Sequence, residues 1–446
     1  MSDALVMDRD EALEICEQAL EASTAEQTEV NLLASRSGLT RFANNHIHQS
    51  AAEMDAAVLV RAAIGTRVGT ASTNDTSAEG LRDVAERACA LAAAATPDEH
   101  FPGLPAPGDE PPTLRGSAAS AAFGPAERAE AVRECISIAS QRGQSAAGAC
   151  SAGVQAHAVA NSLGVRAWQE GSTTHLRMVF AAEDSSGYAE GYAEDASTLQ
   201  PRELAEIAAD KCARSAGPRS VDPGRWDVIL EPPAVTDALF SLGMFAFNGL
   251  ACLEGRSPIC GRIGEQVCGP NITLTDAPLD PRGLRRAFDF EGVPAQRVEL
   301  IRDGVAQGIV HDSRTAKRAG THSTGHAGPA SSAWGPVPMN VFLSTGDATV
   351  DEMIADTERG LLVTRFHYTN MLDPSAAVLT GMTRDGTFLI EGGEIVGGVR
   401  NLRFTEGLLE ALSRVDMIGR DGWLDGYAWA PALRIRDFRF SGATEF

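Results

Sequence analysis

Residues 246–276 read AFNGLACLEGRSPICGRIGEQVCGPNITLTD, and the chain is best understood outward from them. Upstream, Leu239, Phe240, Leu242, Phe245, Ala246, Leu250 and Ala251 put apolar side chains on most faces of a helix predicted over 233–252, so that helix is largely buried and Phe247 and the two alanines serve packing. Downstream, Cys252, Cys260 and Cys268 recur every eight residues. Zinc knots pair ligands two to four residues apart, so these read as buried free thiols, with Cys260 and Cys268 beside a Gly-rich turn and open to exposure. Arg256 and Glu265 are polar candidates here: they either clamp the carboxylate and amine of a peptide or, the preferred reading, fix the loop by an internal ion pair.

At 446 residues the chain is too long for one ordinary core and is expected to hold two or three. Its 43% hydrophobic and 22% charged residues are those of a soluble globular protein. The net charge of −22 repels a phosphate backbone, which argues against direct nucleic-acid binding; RGLRR at 282–286 is the one dense basic cluster and reads as solvated surface. Eight cysteines without a scaffold rhythm point to reduced thiols and a cytoplasmic location. The start, MSDALVMDRDEALEICEQAL, is acidic and amphipathic, unlike a secretory leader, and no apolar run approaches the length of a membrane span.

The fold class expected is α+β. A helix starting at Asp8 or Asp10 precedes strands at 27–35, 38–50, 54–63 and 66–73, with turn signals at Ser37-Gly38 and Asn74-Asp75, and a helix at 77–96. The segment PDEHFPGLPAPGDEPP at 97–112 is too rich in Pro and Gly for a core element and reads as an extended connector. The order then repeats roughly: helix 124–142, strands at 145–153, 155–161, 164–170 and 173–183, helix 201–214. Together these form an N-terminal α+β lobe, 1–220, bounded by AGPRSVDPGR at 216–225. The rest, 221–446, is expected to be a β-rich lobe, largely antiparallel, with few helices and with hairpin signals at Arg384-Asp385-Gly386 and Gly392-Gly393.

Of the candidate site residues, His322 and His326 form H-x-x-x-H, but the Gly- and Pro-rich surroundings AGTHSTGHAGPASS deny them a helix. Together with His367 they make the alternative metal set. The same loop offers Ser323, Thr324 and backbone amides to a peptide. His46 and His48 share one side of a strand without a third donor nearby, and the strand reads as satisfied surface; contact of Arg41 and Asn44 with a peptide backbone is implied only by the family resemblance of the stretches that follow. There is no nucleophile elbow, P-loop or dinucleotide fingerprint.

The stretches RFANNHIHQS at 41–50, LEGRSPICGRIGEQV at 253–267, FDFEGVPAQRVELIRDGVAQGIVHDSRTAKRAG at 288–320, STGHA at 323–327, GMTRDGTFLIEGGEIVGGVRNLRFTEGLLEALSRVDMIGRD at 381–421 and PALRIRDFRF at 431–440 resemble, in this order, the TldD/PmbA family of metallopeptidases, also described as modulators of DNA gyrase. TldD-like members carry HExxxH just before an L-E-G tripeptide and a cysteine near the C-terminus, which together hold a catalytic zinc. Laid on Leu253-Glu254-Gly255, the resemblance puts Ala246, Phe247 and Ala251 at the His, Glu and His positions, and the loop DGWLDGYAWAP at 421–431 has no cysteine. An alanine methyl or phenyl ring offers a metal no lone pair, and Phe247 cannot act as a general base. The resemblance therefore implies a TldE/PmbA-like, non-catalytic subunit without its own cofactor. Its partner would be a zinc-bearing TldD-like chain in a heterodimer, or a second copy in a homodimer, acting on unstructured peptides or peptide precursors. The alternatives are a metallopeptidase using His322, His326 and His367, and a peptide-binding protein without peptidase activity.

Overall fold

The computed structural model describes residues 6–444; residues 1–5 of the acidic start and the last two of the 221–446 lobe lie outside the described residues. In chain order the first lobe comprises α1 (Arg9–Glu21), β1 (Gln27–Ala43), β2 (His46–Ile64), β3 (Arg67–Thr73), α2 (Ala78–Ala94), α3 (Ala118–Ala122), α4 (Pro125–Gln141), β4 (Ser145–Asn161), β5 (Arg166–Ala181), β6 (Ser186–Ala193) and α5 (Pro201–Arg214). Its strands form one sheet in the order β3-β2-β1-β4-β5-β6. Helix, three strands and helix occur twice, and the halves meet along the antiparallel seam of β1 and β4, where Val30 faces Ala160 and Leu32 faces Ala158.

Three long strands replace what the sequence divides into shorter ones. Ser37-Gly38 makes no turn: Gly38 lies within β1, opposite Ala52 and Ala152, and its missing Cβ makes room for the Arg128 guanidinium. The chain reverses instead at Asn44 and Asn45, both with positive φ (49° and 60°), a conformation asparagine tolerates. Likewise 145–153 and 155–161 merge into β4, and 164–170 and 173–183 into β5.

The alternation of strands decides what covers each face of this sheet. Val30, Leu32 and Phe42 of β1, with Ala158, Ala160 and Cys150 of β4, pack under the helices α1, α2, α4 and α5. The intervening residues face the second lobe, where Val159 and Ala167 pack on Ala287 and Phe288.

The second lobe comprises β7 (Gly224–Leu230), α6 (Pro232–Ala246), α7 (Gly249–Leu253), β8 (Leu274–Asp276), β9 (Val298–Arg302), β10 (Val305–Ala306), α8 (Ser313–Ala319), β11 (Val341–Leu343), α9 (Val350–Ala355), β12 (Arg359–Asp373), β13 (Val378–Glu391), β14 (Glu394–Gly398), β15 (Leu402–Gly407), α10 (Leu408–Ser413), β16 (Val415–Asp425) and β17 (Ala428–Ala443). It is β-rich as expected, and the chain as a whole is α+β. Pairing is mostly antiparallel, with parallel β7–β12 and β11–β17. Because β17 bonds to both β15 and β7, the series β17-β15-β13-β12-β7 closes on itself. Gly392-Gly393 turns the β13–β14 hairpin with φ of 58° and 80°. Arg384-Asp385-Gly386 makes no hairpin: it lies inside β13, where the register against β12 slips.

The connector 97–112 is extended, as its composition requires, yet it is tied down. Phe101 and Leu104 are buried against Ala63. Gln27 Oε1 accepts from the Leu104 amide (2.8 Å), and Asn161 Nδ2 donates to the Pro105 carbonyl (2.8 Å). Lys317 Nζ donates to the Phe101 carbonyl (3.1 Å), and Arg314 pairs with Asp98 (3.0 Å), so the strap also reaches α8.

Candidate functional site

The predicted helix 233–252 is broken. It ends at Ala246, and Asn248, with an extended backbone (φ −96°, ψ 120°), starts a new short helix by accepting from the amides of Leu250 (2.8 Å) and Ala251 (3.1 Å). An asparagine that satisfies two free amides competes with continued helix, which is why the apolar periodicity misled. The same side chain donates to the Trp334 carbonyl (2.7 Å), drawing a Gly/Ser/Pro-rich loop over the corner. The corner is also pinned from below: Val310 N donates to the Phe247 carbonyl (2.9 Å), and Gly249 N to the Val310 carbonyl (3.0 Å). A Cβ at Gly249 would stand 2.6 Å from His311 Nδ1, so only glycine fits that approach.

Ala246 and Phe247 are 0% exposed and Ala251 1%. Ala246 and Phe247 belong to the main core of the second lobe, with Leu242, Val310 and Leu343. Nothing at these three positions can ligate a metal or move a proton. The residues do not fit a zinc ion, and among the described residues no three His, Cys, Asp or Glu side chains converge as a metal site.

The cysteine reading needs correction. Cys252 and Cys260 form a disulfide that closes the turn after α7, with the Cα atoms 5.1 Å apart. An eight-residue spacing unsuited to a zinc knot suits a disulfide when the chain folds back, and here Ser257 Oγ bonds to the Ala246 carbonyl (2.6 Å) to hold that fold-back. Cys268 and the other five cysteines are free and buried, and burial pushes the thiols of Cys16, Cys135, Cys150 and Cys268 up to about 12.

Arg256 and Glu265 do not pair with each other. Arg256 bonds to Glu254, and Glu265 to Arg262 (3.2 Å), both on the surface. His322 is exposed, whereas His326 is 1% exposed, with Nδ1 2.9 Å from Thr324 Oγ1 and Nε2 3.5 Å from Asp276 Oδ1. Thr324 Oγ1 also accepts from His311 N (2.8 Å), and Ser323 Oγ donates to the His311 carbonyl (3.3 Å), so both hydroxyls serve the loop. His367 lies on β12 against Tyr368; burial first, then Arg365 and Arg384, lower its pKa. The three histidines are not brought into one ligand set. Arg41 and Asn44 sit at the tip of the β1–β2 hairpin, with His46 and His48 exposed beside them, rings 6.5 Å apart.

Two groups escaped the sequence reading. A crevice between the lobes holds a cavity of about 690 Å³ lined by Arg115, Glu194, Arg282 and Arg285, continuing past Tyr192 and Thr198 into one of about 380 Å³ with Glu190, Lys211, Glu231 and Trp423. Near it, burial raises Asp237 to about 6, while burial and Glu190 raise Asp425 to about 7. The second group is a charged cluster at the sheet's inner face, around Glu29, Arg61 and Glu291. Its one signal in the sequence is a glutamate inside the apolar strand of β1.

A duplicated α+β lobe laid face-on against a ring-closed β lobe has a solved counterpart. The chain superposes on the crystal structure of TldE from Thermococcus kodakarensis with a TM-score of 0.87 at 22% identity, covering 97% of this chain and 100% of that one. Three domain profiles match in sequence order: PmbA/TldA metallopeptidase domain 1 at 28–92, the central domain at 119–216 and the C-terminal domain at 223–442. The chain belongs to the PmbA/TldD metallopeptidase family. It is 26% identical over 223 residues to a metalloprotease of Methanothermobacter thermautotrophicus (49% of this chain, 48% of that one) and 30% identical over 168 residues to a metalloprotease TldD homolog of Haemophilus influenzae (37% and 34%). The chain thus spans about half and about a third of the length of these curated relatives. No described helix is long and apolar enough to cross a membrane.

Proposed function

We propose that this chain is the non-catalytic, TldE/PmbA-like subunit of a two-chain metalloprotease, and that a TldD-like partner brings the zinc. The observation that carries this reading is the α6–α7 corner: where the family resemblance places two imidazoles and a carboxylate, Ala246, Phe247 and Ala251 fill a dry core. Replacing buried ligands by close-packed hydrocarbon removes Lewis-acid and base chemistry together. What the chain offers instead is shape. The crevice between its lobes, arginine-rich at one end with Arg115, Arg282 and Arg285 and glutamate-rich at the other with Glu190, Glu203 and Glu231, suits an extended polar chain better than a compact apolar ligand. Unstructured peptides or peptide precursors are the substrates this implies for the complex.

The test is a pull-down from native extract followed by peptide cleavage, with metal analysis of each component. The expected result is a co-purifying chain that carries HExxxH and stoichiometric zinc, and cleavage of unstructured peptides only when it is present. Stoichiometric zinc and cleavage by this chain alone would overturn the proposal.

A further inference from the structure

The face of the first sheet that meets the second lobe carries charge where a core would normally carry carbon. Glu29 on β1 and Arg61 on β2 are cross-strand partners. Arg61 Nη2 donates to Glu29 Oε2 (2.7 Å), and both Nη1 and Nη2 reach Glu291 Oε1 (3.3 Å) on the loop of the second lobe that runs from Phe288 to Val293. The other oxygen of Glu291 accepts from the Ser313 amide at the start of α8 (3.0 Å). Beside this pair of ion pairs, Asn31 Nδ2 donates to the Phe290 carbonyl (3.0 Å), and His157 Nε2 lies 2.9 Å from Asn31 Oδ1. Asp289 accepts from the amides of Glu291 (2.9 Å), Val293 (3.0 Å) and Ala327 (2.8 Å). Glu29 is 1% exposed, Glu291 6% and Asp289 0%.

The charges do not balance. Glu29 and Glu291 face Arg61 and Asp289 lies beside Glu291, three buried carboxyls in all, while β4 contributes only His157, which burial and then Arg286 push down to about 3 and so keep neutral. Arg286 is the other nearby cation, and its Nε and Nη2 are buried without a hydrogen-bond partner. β3 contributes Thr70 and Ser72, without charge, to a cavity of about 200 Å³ that opens beside Glu29 and Arg61. Fully ionised, the cluster would hold an excess of negative charge in a largely buried junction, which is costly.

We propose that this junction is a proton-dependent latch between the two lobes, closed while one of its carboxyls holds a proton and loosened when that proton leaves. Burial, with Glu291 adding and Arg61 opposing, raises Glu29 to about 7; burial and Glu291 raise Asp289 to about 8. Both lie above their ordinary values near 4 in an unfolded chain. The folded junction therefore binds more protons than the separated one: its stabilisation is complete below about pH 4 and falls away as pH rises through about 7 to 8. The latch shares α8 with the α6–α7 corner, since Ser313 at its start bonds Glu291, but it does not depend on the subunit reading.

The test is hydrogen–deuterium exchange of the full chain at about pH 6 and about pH 8.5, corrected for intrinsic exchange, following peptides that contain 57–64 and 288–293 against those of α4. One released proton gives up to about a tenfold rise in opening per pH unit, so these two segments are expected to gain about tenfold or more at the higher pH relative to α4. Glu29→Gln and Asp289→Asn, each fixing an uncharged group, are expected to flatten that rise. An equal response of all three segments in the wild-type chain overturns the latch, and so does an unchanged rise in both variants. If one variant does not fold, the wild-type comparison and the other variant still decide.

Discussion

The α6–α7 corner and the junction between the lobes are both buried, yet one is filled with hydrocarbon and the other with carboxylates around a guanidinium. Phe247 and Ala246 are as inaccessible as Asp289. The difference lies in what each region joins. At the corner, elements of one lobe pack on each other and nothing has to come apart, so dispersion and apolar burial suffice. At the junction two separately formed surfaces must find one register, and a buried ion pair satisfied from both sides penalises every other arrangement. A carbon-filled corner beside a charged junction assigns shape to one and adjustable association to the other.

Four substitutions probe that contrast. The largest loss is expected from Phe247→Ala, which empties the packed corner: about 4 kcal/mol by denaturant titration, independent of pH. A loss below about 1 kcal/mol would show that the corner is loosely packed and that the carbon filling is incidental. Arg61→Met, in contrast, should cost about 3 kcal/mol at alkaline pH, because it strands Glu29 and Glu291, and clearly less near pH 6, where a carboxyl is protonated. Equal losses at both pH values would erase the distinction. Replacing Cys252 and Cys260 by serine should cost about 2.5 kcal/mol from the short closed loop. Non-reducing peptide mass mapping should find the two cysteines linked. The smallest effect belongs to Arg256→Ala, whose pair with Glu254 is about 43% exposed on both sides: below about 0.5 kcal/mol in a thermal melt. If peptide binding by the complex falls while the melt does not, Arg256 serves a ligand.

Much of this was legible in the sequence where periodicity and omission carry the information. The helix–strand–helix repeat of the first lobe and the β-rich second lobe follow from residue type and order, whereas only the family resemblance singles out positions 246, 247 and 251. Boundaries failed where one side chain overrides a pattern. Asn248 splits an apolar helix by capping a new one, and Gly38 stays in a strand because Arg128 needs the space above it. Pairings over long sequence distance were invisible. Arg61 to Glu291 spans 230 residues, and no local signal names the partner. The Cys252–Cys260 bond was hidden for a different reason: its spacing was weighed against metal geometry, while the fold-back set by Ser257 decides it.

The strap at 97–112 is fastened at Asp98, Phe101, Leu104 and Pro105, whereas the residues from Ala106 to Glu110 are exposed. A protease that nicks the chain near Gly108 would leave one new end moored between Asp98 and Pro105 and the other at Leu114, buried with Val159 and Phe288. Such a nicked molecule should migrate intact under native conditions and fall into two fragments only in denaturant. The same spot is where a tag or reporter domain could be spliced in without disturbing either sheet.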